Sequence, residues 1–143
     1  QTRLLSVQVN RLERWHLPGL LCIGDAAHAM SPAGGIGINL AIQDSVAAAR
    51  ILAEPLAAGP TRAIVTELTL AQIQHRRELP TRITQAFQAI AHRHLRTFLG
   101  NPAPLKPPLI LRLLTPHPIF RRLAARFIGM GIRPEPIQPR EDL

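Results

Sequence analysis

The sequence predicts a mainly helical chain with a short two-strand β element that wants neighbours. Three observations lead there. Apolar residues recur at helical spacing over most of residues 38–99, and only two short segments near the amino end read as strands. Two strands alone are marginal in water, so a sheet this small needs neighbours that the sequence does not supply.

Residues 5–10, Leu5-Ser6-Val7-Gln8-Val9-Asn10, alternate apolar and polar with period two, as a half-buried strand does. Trp15, Pro18 and Gly19 mark a connection. Leu20-Leu21-Cys22-Ile23 is a continuous apolar run ending at Gly24, the pattern of a strand buried on both faces, and it could pair with the first. A small-residue loop from Asp25 to Gly37 leads into a helix over about Ile38–Leu52. Ile38, Ala41, Ile42, Ser45, Ala49 and Leu52 share one face of it, and Pro55, Gly59 and Pro60 end it.

A second helix is expected over 61–79 and a third over 81–99, divided by Pro80 and closed by Gly100. Leu68, Ile73 and Leu79 read as core in the second; Ile83, Phe87, Ile90 and Leu95 do so in the third. Residues 101–143 hold nine of the 14 prolines, so short helices broken by turns are expected, with apolar pieces at Leu109–Leu114 and Ile119–Ile128. Residues 133–143 read as an irregular tail. The expected organisation is therefore one unit over 1–55, a helical region over 56–132, and the tail.

Composition narrows the function. Lys plus Arg is 17 and Asp plus Glu 9, a net charge of +8, and 46% hydrophobic residues suffice for a modest core. No uncharged apolar run approaches the roughly 18 residues of a spanning helix. The single cysteine, Cys22, excludes a disulfide framework and a multi-cysteine metal site. With 3% aromatic residues and no tyrosine, a stacking platform for single-stranded nucleic acid is excluded as well. The first residue is Gln1 and no signal region follows, so the chain is expected to start mid-protein and to work in the cytoplasm.

One segment carries chemistry: Gly24-Asp25-Ala26-Ala27-His28-Ala29-Met30-Ser31-Pro32-Ala33-Gly34-Gly35-Ile36-Gly37-Ile38-Asn39. It leaves a buried strand and opens a helix. A carboxylate at a strand's carboxyl end can accept hydrogen bonds from ligand hydroxyls in the crevice there. Ala26 and Ala27 leave room for close approach. Gly34, Gly35 and Gly37 expose backbone amides at a helix start, a pole worth about 0.3–2 kcal/mol to a nearby anion. The pattern calls for a polyhydroxylated ligand with developing negative charge.

The segment closely resembles the second FAD-binding motif of the flavin-dependent monooxygenases related to para-hydroxybenzoate hydroxylase. Gly24 to His28, Pro32, Gly35, Gly37, Asn39 and Asp44 all stand at the motif's offsets, and Trp15 with Pro18-Gly19 fits its lead-in. The likeness covers about residues 3–55. It implies a parent with an α/β FAD-binding fold in which residues 1–55 complete the FAD domain. It also implies that Gly24, Asp25, Ala26, Pro32, Gly34, Gly35, Ile36, Gly37, Ile38 and Asn39 contact the cofactor. Asp25 would bond the ribityl chain, Pro32 would lie beside the isoalloxazine ring near substrate, and amides of Gly35–Asn39 would face the flavin N1 and C2 carbonyl. In such enzymes NADH or NADPH supplies a hydride, and a flavin hydroperoxide delivers oxygen to a small aromatic or lipophilic substrate.

The family's amino-terminal G-x-G-x-x-G and its central Asp-Gly motif are absent from this chain. The isolated chain is thus expected to be inactive, and its first partner is the missing amino-terminal part, with a homo-oligomer mate as an alternative cover. Two further readings stand beside the monooxygenase: a flavin dehydrogenase or reductase on the same fold, and a non-enzymatic basic binding module. Arginines scattered along the whole chain, with no recognition motif, argue against nucleic acid.

Other residues receive plainer readings. His28 is expected to pack or to support a neighbour, and Asp44 to complement the dipole early in its helix. Cys22 reads as inert. His75-Arg76-Arg77 reads as a solvated face, as do His92 and His94, which point apart on a helix and make no metal pair. Phe120, Leu123, Ala124, Phe127 and Ile128 form an apolar stripe opposite Arg121, Arg122 and Arg126, suited to packing on the parent or a dimer mate ahead of a membrane surface.

Overall fold

The computed structural model describes residues 8–32, 35–58, 65–99 and 115–137. Its elements are β1 (His16–Leu17), β2 (Leu20–Leu21), a 3-10 turn at Gly24–Ala26, α1 (Ile36–Ala57), α2 (Glu67–Leu99) and α3 (Pro118–Met130). The described chain is mainly helical with one two-strand antiparallel sheet, as expected. The expected segments at Leu5–Val7 and Leu109–Leu114 lie outside the described residues.

The strand reading needs correction. Residues 8–10 form no strand, and the partner of β2 is β1, with His16 opposite Leu21 and Leu17 opposite Leu20. Pro18-Gly19 closes a two-residue hairpin in which Gly19 takes φ +76, a value that favours glycine. The pairing stops at Leu21. Cys22 still donates its N–H to the Trp15 carbonyl at 2.7 Å.

Two prolines were expected to break helices and do not. Pro55 lies inside α1, which begins two residues earlier and ends later than expected. Pro80 lies inside α2, so one 33-residue helix replaces the expected pair. Proline removes an N–H from the ladder and crowds the carbonyl a turn earlier. Thr81 Oγ1 donates to the Arg77 carbonyl at 2.9 Å, and Thr84 Oγ1 to the Pro80 carbonyl at 2.9 Å, adding side-chain bonds on either side of Pro80. Packing of the same turns onto α1 then holds the helix through.

The buried faces also differ from expectation, for one reason. Ile38 is 69% exposed and Leu68 77%, and Ile42, Leu79, Ile83, Phe87, Ile90 and Leu95 are exposed too. The faces turned inward are instead Leu40, Gln43, Asp44 and Ala47 on α1 and Leu70, Ile73, Arg77, Thr81 and Thr84 on α2. Hydrophobic periodicity selects the apolar stripe, whereas here the buried contact between the helices combines a few apolar residues with paired polar ones. Only Ile73 of the expected α2 core positions is fully buried. Around it Ala48 and Leu70 pack with Leu21, Ile51, Leu52 and Val65.

Helix α1 is long and apolar enough to cross a membrane. It carries Asp44, wholly buried and ion-paired with Arg77 of α2. Helix α3 packs on α2 through Phe87 and Phe127, edge to face at 5.3 Å. Its Ile119 and Leu123 remain 61% exposed.

Candidate functional site

The motif begins where the hairpin ends. Gly24 has φ +58, and a Cβ there would lie 3.0 Å from Ala41 Cβ on α1, so a larger residue would be strained and tightly packed. Its carbonyl accepts the N–H groups of Ala27 and His28 at 2.9 and 2.8 Å, curling the chain into the 3-10 turn. The lead-in straps this turn down, with Leu12 N–H donating to the Ala27 carbonyl at 2.8 Å and Asn10 N–H to that of Ala29 at 3.2 Å.

The curl leaves Asp25, Ala26 and Pro32 exposed. Among the described residues Asp25 has no hydrogen-bond partner, and its carboxylate sits beside the first turn of α1: a Cβ on Gly37 would lie 4.0 Å from Asp25 Oδ1 and 3.6 Å from Met30 Cβ. Gly35 donates to the Pro32 carbonyl at 3.1 Å and takes φ +64, with open space where a side chain would be. No side chain caps α1, and no acidic residue stands in its first turn. The first-turn amides of α1 therefore have no capping side chain among the described residues, and the Asp25 carboxylate stands beside the helix pole.

The structure brings Asp25, Pro32, Gly35, Gly37 and Ile38 to one loop-and-helix corner. The other expected contacts are committed differently or lie outside it. Gly24 is buried with its N–H given to Asp44, Ile36 is buried, and Asn39 Nδ2 donates to the Ile128 carbonyl at 3.2 Å. Gly34 lies outside the described residues.

Behind the corner is a buried ionic network that periodicity does not reveal. Asp44 lies two turns into α1, too far for the helix dipole, which corrects that expectation. Its Oδ2 accepts from Gly24 N–H at 3.1 Å and meets His28 Nε2 at 2.5 Å; its Oδ1 accepts from Arg77 Nε at 2.9 Å. Burial alone would raise the Asp44 pKa. The hydrogen bonds from His28 and Arg77, the attraction of His28 and the Gly24 bond outweigh it and hold the carboxyl below its ordinary value. His28 also packs at 5.0 Å against the Trp15 ring.

Arg77 is fully buried rather than solvated. It donates to Gln43 Oε1 and to the Arg133 carbonyl, both at 3.0 Å. Glu135 takes a two-pronged pair from Arg76 at 2.6 and 2.8 Å and a third bond from Arg50 at 3.2 Å. Residues 131–137 are thereby pinned across α1 and α2. Neither Arg77 nor Glu135 stood out in the sequence; a charge run on a helix gives no sign of which member faces inward.

An exposed carboxylate beside an uncapped helix start, backed by a rigid polar core, defines a cradle for a ligand that offers hydroxyls and an anionic edge. Residues 1–96 match the FAD binding domain family, and the chain belongs to that family. FAD is the cofactor that this domain binds. The chain is 36% identical over 123 residues to 6-methylpretetramide 4-monooxygenase of Streptomyces rimosus, covering 86% of this chain and 28% of that protein. It is 57% identical over 44 residues to kynurenine 3-monooxygenase of Stenotrophomonas maltophilia, covering 30% of this chain and 10% of that enzyme. A kynurenine 3-monooxygenase of Xanthomonas oryzae is 62% identical over 39 residues, 27% of this chain and 9% of that enzyme. The chain thus spans less than a third of the length of these relatives. No solved structure matches it significantly.

Proposed function

We propose that this chain forms the ribityl- and isoalloxazine-binding part of an NAD(P)H-dependent monooxygenase that hydroxylates a small aromatic or lipophilic organic molecule. One observation carries the reading: Asp25 stands exposed, and without a partner among the described residues, beside the first turn of α1, within the motif whose family binds FAD. FAD, when bound, supplies oxygen activation after reduction by the nicotinamide. The protein's own residues supply the rest. Asp25 would accept hydrogen bonds from the sugar-alcohol chain, and the amides of Gly37 and Ile38 would stabilise negative charge on the reduced flavin. Pro32 lines the ring's flank, and the Asp44–His28–Arg77 core keeps the loop in register with the helix.

The monooxygenase names of the relatives favour oxygen transfer over simple dehydrogenation. The exposed apolar residues of α1, Ile38 and Ile42, suit cover by the amino-terminal part of the same polypeptide or by a second copy. The full-length protein should purify yellow. With NADH or NADPH, its substrate and labelled dioxygen, it should place one labelled oxygen atom in the product. Nicotinamide oxidation that forms no labelled product would refute the monooxygenase reading while leaving FAD binding intact.

A further inference from the structure

Residues 29–32 carry the motif from the 3-10 turn toward α1 and belong to no helix or strand. Met30 and Ser31 are buried, and Pro32, which follows, is exposed. Buried carbonyls outside a helix or sheet need donors from elsewhere. Helix α2 supplies them. Gln88 Nε2 donates to the Ser31 carbonyl at 3.0 Å. Gln85 Nε2 donates to the carbonyls of Ala29 at 3.3 Å and Asn10 at 2.8 Å. The two glutamines stand three apart on α2, hence on one face, and are 8% and 2% exposed at 85 and 88. Arg11 Nη1 donates to Gln85 Oε1 at 2.8 Å, and a guanidinium only donates, so the end of the Gln85 amide that faces the loop is fixed. From the other side, Gly35 N–H donates to the Pro32 carbonyl at 3.1 Å, and a Cβ on Gly37 would lie 3.6 Å from Met30 Cβ. The loop is hung between two helices, and Pro32 takes its place from both.

We infer that Gln85 and Gln88 are positioning residues for the flavin: through the carbonyls of Ala29 and Ser31 they set where Pro32 stands against the isoalloxazine ring. The inference rests on the FAD reading and deepens it. Both side chains act through backbone atoms of the loop. Glutamine suits the task because its amide offers N–H groups without a charge, and a neutral bonded group is far less costly to bury. A site that must hold a ring to within about 0.5 Å needs such support behind it.

The test uses the full-length protein, comparing wild type with Gln85→Met, Gln88→Met, Gln88→Glu and Thr84→Val. FAD affinity is read by fluorescence titration, and the ring's surroundings by visible circular dichroism of the bound flavin. Each Met variant should bind FAD more weakly by about 3–10-fold and change the flavin dichroism. Thr84 is buried on the same helix but donates within it, to the Pro80 carbonyl, so Thr84→Val should leave both readouts unchanged even where melting falls. A buried carboxyl keeps its proton to higher pH than an exposed one, and only when protonated can it donate to Ser31. Gln88→Glu should therefore show the wild-type dichroism near about pH 6 and that of Gln88→Met near about pH 9, with wild type constant between them. This comparison is made within one folded protein. Unchanged affinity and dichroism in the Met variants, equal losses in Thr84→Val, or pH-independent dichroism in Gln88→Glu would each overturn the inference while wild-type FAD binding upholds the FAD reading. A wild-type protein that binds no FAD would overturn both.

Discussion

Gly24 and Asp25 are neighbours with opposite tasks. Gly24 is held by geometry, with positive φ and Ala41 against its α-carbon hydrogens. Gly24→Ala should therefore lower the stability of the protein by about 1–3 kcal/mol, through backbone strain and overpacking together. Chemical denaturation would measure this, and an unchanged midpoint would mean the contact relaxes freely. Asp25 makes no contact that holds the fold among the described residues, so its substitution should spare the melting temperature. This difference was legible only in part. The sequence placed both residues in one motif, but a motif does not say which members face a ligand and which face the next helix.

Helices α1 and α2 meet through a buried ionic contact beside the apolar cluster around Ile73. The Asp44 carboxylate is paired by Arg77 and His28 in a fully buried site, where removal of Asp44 or Arg77 strands the other. Arg77→Met or Asp44→Asn should each cost about 3–5 kcal/mol. The double variant Asp44→Leu with Arg77→Met should cost less than the sum of the two single changes, since each single loss leaves an uncompensated charge. Strict additivity in denaturant titrations would show that the pair is not coupled. The presence of helices near 36–57 and 67–99 was readable from spacing and alanine content. Their inward faces were not, because a paired buried arginine and a solvated one look alike in a sequence. Pro80 misled for a related reason: its cost is local, whereas the packing that outweighs it comes from α1, more than 30 residues away.

The acid response of the whole molecule follows from Asp44. Its folded pKa lies below its ordinary value of 3.8, so its contribution to stability is fully present above that value and is lost as pH falls through the folded value. Thermal melting of the full-length protein should drop steeply below about pH 4, and Asp44→Asn should flatten that part of the curve. An equally steep acid limb in the variant would assign the loss to other groups.

The chain matches 28% of the length of 6-methylpretetramide 4-monooxygenase, in keeping with the family motifs it lacks. The exposed apolar faces of Ile38, Ile42 and Leu123 agree with a surface made to be covered. Glu135 shows where sequence reading fell short at this scale, since a proline-rich end looked loose and is bound by three arginine side chains at its centre.

The claim at the centre of this account is that one exposed carboxylate beside an uncapped helix holds the flavin's sugar-alcohol chain. Fluorescence titration of FAD into apo full-length protein, wild type against Asp25→Ala, tests it most directly. The account predicts binding weaker by about 10–100-fold with an unchanged melting temperature; equal affinities for the two proteins would contradict it.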